Sequence, residues 1–143
     1  MAGWIETGRG VVFPWNCDFL GHMNVRWYAH FFDDAGWHLW SVVGLPQTKI
    51  RERGVTLVVA STKTDFIHEL RAGELIVVKS GFTHIGNRSI RHLARLYNAD
   101  TGTLCASQES VEVFFDLATR KSATMPEDIR AMLTPHLVSP DEA

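Results

Sequence analysis

Apolar side chains recur along this chain first at helical and then at strand spacing, and that change outlines the fold. The run Gly10 to Trp15 (GVVFPW) reads as a short strand. Pro14 confines it to an edge or a strand end, because proline has no amide proton for a ladder. A loop, NCDFLGHMN, follows. From Asn24 the spacing becomes helical: Tyr28, Phe32, Ala35, Leu39 and Val42 share one face, and Trp27, Phe31 and Trp40 widen it. So apolar a helix is expected to be buried over much of its circumference. Gly36 sits mid-helix at a cost of about 1 kcal/mol relative to alanine, which predicts close approach to another backbone. Asn24 is a candidate N-cap, and Gly44 with Pro46 ends the helix.

Four long strand patterns fill the rest: 55–70 (VTLVVASTKTDFIHEL), 74–85 (ELIVVKSGFTHI), 89–97 (SIRHLARLY) and 103–116 (TLCASQESVEVFFD). In the third, Ile90, His92, Ala94 and Leu96 lie on one face. The turns ELRAG, IGNR and NADTG between them are short and hairpin-like, which implies an antiparallel sheet. Thr124 or Met125 is expected to cap a short terminal helix that starts at Pro126, with Glu127 and Asp128 in its first turn. A single long helix must then pack across the concave face of the sheet. The expected class is α+β: a curled antiparallel sheet of about five strands around one central helix, in one domain spanning 1–143.

Composition narrows the function classes. With 45% hydrophobic and 21% charged residues the chain is an ordinary globular sequence. A net charge of −2 gives no global attraction to nucleic acid or anionic lipid. Cys17 and Cys105 make no disulfide framework, no apolar leader opens the chain, and no apolar run is long enough to span a membrane. The expected compartment is the cytoplasm. His30 and His38 come without an HExxH or CxxC companion, so no metal is expected. GxSxG and phosphate-loop motifs are absent, and a Cys17 nucleophile has no identifiable partner.

The loop before the helix carries the strongest signal. Asp18-Phe19-Leu20-Gly21-His22-Met23-Asn24, followed by Trp27-Tyr28 and Phe31-Phe32-Asp33-Asp34, resembles the 4-hydroxybenzoyl-CoA thioesterase-like family of hotdog-fold proteins. Their pattern is roughly D-x-x-G-H-x-N and then an aromatic-rich helix. ELRAGE at 69–74, GNRS at 86–89 and the terminal FFDLATRKSATMPEDIRAML extend the resemblance over nearly the whole chain. It implies a hotdog fold, a homodimer or tetramer, and hydrolysis of an acyl-CoA with no cofactor beyond the coenzyme A of the substrate.

The chemistry is consistent with that resemblance. A thioester carbonyl needs a nucleophile or base and a donor for the oxyanion. A carboxylate just before a helix supplies the first, and free N–H groups of the helix's first turn supply the second. Asp18 is the expected catalytic carboxylate, acting as nucleophile or as base on a water; the plainer role is an Asx-turn. Gly21 permits the tight turn, and the backbone N–H of Val25 is, by analogy with the family, the oxyanion donor. His22 either lines the site or braces the loop, and Asn24 either caps the helix or joins the catalysis. Arg88, Arg120 and Lys121 are the resemblance's candidates for the CoA phosphates, against solvated surface charge. Ser61 and Thr62 are its candidates for lining the site from a partner subunit, against ordinary strand polarity. Trp27 offers a flat or cation-binding wall for the acyl group, with core filling as the alternative. A dehydratase or isomerase on a CoA or carrier-protein thioester, and a non-catalytic acyl-CoA-binding module, remain alternatives. The hotdog dehydratases carry a His and a Pro-Gly segment where this chain has Asp18 and Gly21-His22.

Overall fold

Alternation dictates the sheet. In the strand Ser89–Asn98 every second residue from Ile90 onward is buried, because a pleated backbone sends successive side chains to opposite faces. The computed structural model describes residues 3–141; Met1, Ala2, Glu142 and Ala143 lie outside the described residues. Its strands are β1 (Ile5–Val11), β2 (Val55–Phe66), β3 (Leu75–Ile85), β4 (Ser89–Asn98) and β5 (Leu104–Asp116). Its helices are α1 (Val25–Val42), α2 (Gln47–Arg51) and α3 (Glu127–Leu133). The strands form one antiparallel sheet in the order β1-β3-β4-β5-β2. No helix among the described residues is long and apolar enough to cross a membrane.

Several sequence expectations shift. The first strand is Ile5–Val11 rather than 10–15, and Pro14 opens a 3-10 turn, Pro14–Asn16. Glycines hide the strand in the sequence: a Cβ at Gly10 would lie 2.6 Å from Phe31 Cε1, so the helix packs where a side chain is missing. Helix α2 carries one buried residue, Ile50, which leaves no periodicity to read. Strands β2 and β3 are not a hairpin. β2 pairs with β5 at the far edge while β3 lies between β1 and β4, so residues 67–74 carry the chain across the end of the sheet. The terminal helix begins at Glu127, one residue after the expected start, with Pro126 as its N-cap in place of Thr124 or Met125. Met125 is buried and its N–H donates to Asn87 O.

Helix α1 lies chiefly over β1, β3 and β4. Tyr28, Phe32, Ala35, Leu39 and Trp40 are buried, whereas Val42 and Trp37 are exposed. The concave face of β5 and β2 is therefore left partly uncovered. The core falls into two clusters: Tyr28, Phe32, Ile76 and Leu96 belong to one, and Leu39, Trp40, Phe82 and Phe114 to the other. Gly36 lies between them. No backbone approaches it: the nearest atom to a Cβ built there is His92 Cε1, at an ordinary 3.8 Å. The close backbone approach inferred from the sequence is thus absent, and alanine fits. Gly36→Ala should raise Tm by about 2–4 °C in calorimetry, the gain expected from about 1 kcal/mol of helix propensity; a fall in Tm would show that the helix cannot accept the methyl group.

Candidate active site

The loop that carries Asp18 is closed at its base. Asn16 anchors it: its side chain accepts from Phe13 N–H at 2.7 Å and its carbonyl accepts from Asn24 N–H at 2.8 Å. Above that, Asp18 N–H donates to His22 O and Gly21 N–H donates to Asp18 O. Gly21 takes φ +81°, and a Cβ there would meet nothing within 4 Å, so the backbone conformation alone calls for glycine.

Asp18 Oδ1 accepts from Leu20 N–H at 2.9 Å and Oδ2 from Asn24 Nδ2 at 3.1 Å. The first is an Asx-turn, so the plain role and a chemical one coexist in the same side chain. Asn24 likewise does two things, because its Oδ1 caps α1 by accepting from Arg26 N–H at 3.1 Å. The Asn24 hydrogen bond, then that from Leu20, holds the Asp18 carboxyl below the usual aspartate range. One residue on, Val25 N–H makes no hydrogen bond to any described residue, and Val25 is 61% exposed. A partly buried carboxylate and a free helix-terminal donor are thus joined through Asn24.

His22 is half-buried and its Nε2 lies 3.1 Å from Glu69 Oε2. With Met23 N–H donating to Leu70 O, it ties the loop to the 67–74 connection. Trp27 packs against the first core cluster and meets His30 edge-on. Tyr28 is core, its hydroxyl pushed up to about 12, chiefly by burial, so it stays protonated near neutrality.

The other candidates lie elsewhere. Arg88 Nη1 donates to the carbonyl and hydroxyl of Ser122, and the Arg120 guanidinium lies over the Phe115 ring. With exposed Lys121 they surround the Val55 end of the sheet, where β2 pairs with Asp116. Asp18 sits at the other end, near Leu70, and β2 spans roughly 35 Å between them at ordinary strand rise. One protomer does not bring Asp18 and these three cations together. A bulge between Val59 and Ser61 sets the facing of β2. Ser61, opposite Val111, points away from α1, whereas Thr62, opposite Ser110, faces inward.

Thr62 lines a groove of about 610 Å³ between α1 and the uncovered half of the sheet. Trp37, Trp40, His92 and Glu112 line it too, none of them singled out as site residues from sequence. The available signal was His92, a polar residue on the inward face of Ile90, Ala94 and Leu96.

Removing the Asn24 side chain should therefore have two effects. Asn24→Ala should cost about 1 kcal/mol of stability through the lost cap. It should also raise the Asp18 pKa, so the acid limb of a kcat/KM profile moves to higher pH. An unmoved limb would separate Asn24 from the carboxylate's electrostatics.

Comparison with known proteins bears on the fold and the family. Residues 12–133 match the family model of the thioesterase-like superfamily. A curated relative, the L-carnitine dehydrogenase/betainyl-CoA thioesterase of Rhizobium meliloti, is 24% identical over 118 residues. That match covers 82% of this chain but 24% of the relative, so the chain spans about a quarter of that protein's length. A Staphylococcus aureus protein solved in complex with CoA superposes with TM-score 0.85 at 19% identity, covering 100% of this chain and 89% of its own. A 1,4-dihydroxy-2-naphthoyl-CoA thioesterase from Synechocystis gives 0.78 at 18%, covering 91% and 95%. Such likeness establishes the hotdog fold, and the family match over most of the chain establishes the lineage: this protein belongs to the thioesterase-like superfamily.

Proposed function

We propose that the protein hydrolyses an acyl-CoA thioester to a carboxylic acid and CoA at the N-terminus of α1. The supporting observation is the adjacency of ionised Asp18 and the unengaged N–H of Val25. With the substrate carbonyl oxygen on that N–H, charge developing in the tetrahedral state meets a fixed donor and the positive end of the helix. Such a donor contributes about 3 kcal/mol to lowering the barrier. Asp18 then acts in one of two ways. As nucleophile, its carboxylate oxygen bonds to the acyl carbon, the carbon–sulfur bond breaks, CoA leaves as thiolate, and water hydrolyses the mixed anhydride. As base, it takes a proton from a water that attacks the carbonyl. His22 positions the loop, and Asn24 both caps the helix and holds the carboxylate. The relatives named above suggest betainyl and aromatic acyl groups as first substrates to try.

Asp18→Asn tests the role directly. The amide still accepts from Leu20 N–H, so Tm and CoA affinity should stay near wild type while kcat falls at least about 100-fold. Activity within a few-fold of wild type would remove Asp18 from the chemistry.

The working unit is a homodimer, or a tetramer built from it, with the site shared between subunits. β2 is a 12-residue edge strand whose Val58, Val59 and Phe66 are exposed, and an edge of that length is a template for another strand. Two copies pairing β2 antiparallel about a two-fold axis set the Phe66 end of one against the Val55 end of the other. The second copy's Arg88, Arg120 and Lys121 then approach this copy's Asp18 loop, where the phosphates of CoA can meet them. Phe19, 96% exposed beside Asp18, gains a cover. Light scattering should give two or four times the 16.1 kDa chain mass, and an active monomer would overturn the shared site.

A further inference from the structure

A sheet face that served only to seat a helix would be apolar throughout. Here the concave face is apolar toward both ends and polar between them, with His92 on β4 and Gln108, Ser110 and Glu112 on β5 facing the groove. Glu112 is 8% exposed and His92 5%. Glu112 Oε1 accepts from Trp40 Nε1–H at 3.3 Å and lies 2.6 Å from His92 Nε2. Its other oxygen, Oε2, makes no hydrogen bond to any described residue. Oε2 is not among the solvent-excluded unpartnered atoms, so it is open to the groove and is the oxygen a ligand there can meet.

Helix α1 keeps the space above this pair open. Gly36 lies over His92 with room for a methyl group, in a helix interior where glycine is disfavoured. The groove walls are Phe32, Trp37 and Leu57, with Asp33 and Arg51 at its exposed rim. The charged groups facing it are thus Glu112 from β5, His92 from β4, Asp33 from α1 and Arg51 from α2.

Resting on the thioesterase reading, we propose that this groove is the acyl subsite and that Glu112, held by Trp40 and His92, selects an acyl group with a cationic head. With the His92 proton on Nε2, Oε1 accepts from both neighbours and Oε2 is left to the groove. A compact cation meets Oε2 by charge and the Trp37 ring by its face. A neutral alkyl head of equal size dehydrates Oε2 without pairing it, and an anionic head is repelled by Glu112 and Asp33. Arg51 stands on the rim, where water screens it. The antiparallel β2 pairing places the Trp40–Arg51 end of the groove beside the second copy's α1 N-terminus, so a short acyl group reaches it from that Asp18.

The test compares two acyl-CoAs of the same shape, trimethylammonioacetyl-CoA and 3,3-dimethylbutanoyl-CoA, which exchange a charged nitrogen for a neutral carbon. Wild type should favour the cation by about tenfold or more in kcat/KM. Glu112→Gln should abolish that preference, mainly by raising KM for the cation. Gly36→Ala, which keeps the pair intact, guards against a misfolded Glu112 variant: it should raise KM for the cation while Tm does not fall. Equal rates for the two substrates in wild type, or a preference that survives Glu112→Gln, would overturn the assignment. Absence of hydrolysis for every acyl-CoA, including straight-chain and aromatic ones, would instead overturn the thioesterase reading, and this proposal with it.

Discussion

The side chain of Asn24 joins the two halves of the candidate chemistry. One of its ends accepts from the amide of Arg26 and starts α1; the other donates to Asp18. Helix geometry and carboxylate position are therefore coupled through one amide group less than a helical turn across. The loop between them is held by its own backbone and by Asn16, and it is anchored to the 67–74 connection through Met23 and His22. Such anchoring matters because Asp18 is only partly buried, and an untethered carboxylate there would sample many positions. Pre-fixing it beside an unengaged N–H removes that freedom before substrate arrives.

The offset of α1 on its sheet has consequences at the other side of the molecule. Because the helix covers β1, β3 and β4, the inward faces of β5 and β2 need another cover, and β2 needs another strand. The uncovered region holds the groove, and its floor is where the two hydrophobic clusters are interrupted. Burying His92 and Glu112 there gives up apolar packing that Leu or Val at the same positions would supply. Stability does not ask for such a pair, and a glycine above it in the helix runs against stability as well.

Helix α1 and strand β4 are legible in the sequence because each has a clear period, three and four in Tyr28 to Leu39 and two in Ile90 to Leu96, while β3 and β5 are legible as long apolar runs between turn residues. β1 is not, since Gly8 and Gly10 erase the alternation, the second of them where Phe31 needs room. Strand order is not legible either. The segment ELRAG has the length of a hairpin turn, yet it joins strands on opposite sides of the sheet, because turn length limits reach and does not name a partner. Asp18, Gly21 and Asn24 could be found from sequence because their interactions are local, within six residues of one another. His92 and Glu112 are 20 residues apart and meet through the register of β4 on β5, which pairs Ile90 with Glu112 and His92 with Ser110. No local pattern encodes that diagonal contact.

The same distinction bears on how the charges are arranged. Local geometry places one carboxylate at the start of the helix; the sheet places Arg88, Arg120 and Lys121 at the opposite end, where Arg88 already braces Ser122. A single chain therefore separates the candidate carboxylate from the candidate phosphate-binding cations by most of a strand's length. The two-fold axis proposed through β2 would cancel this separation, because it reverses the strand and lays unlike ends together. The long polar-apolar edge, the exposed Phe19 beside Asp18 and the open groove then have one common explanation. In the dimer proposed above, each is a surface that one chain leaves unfinished and that the second copy would complete.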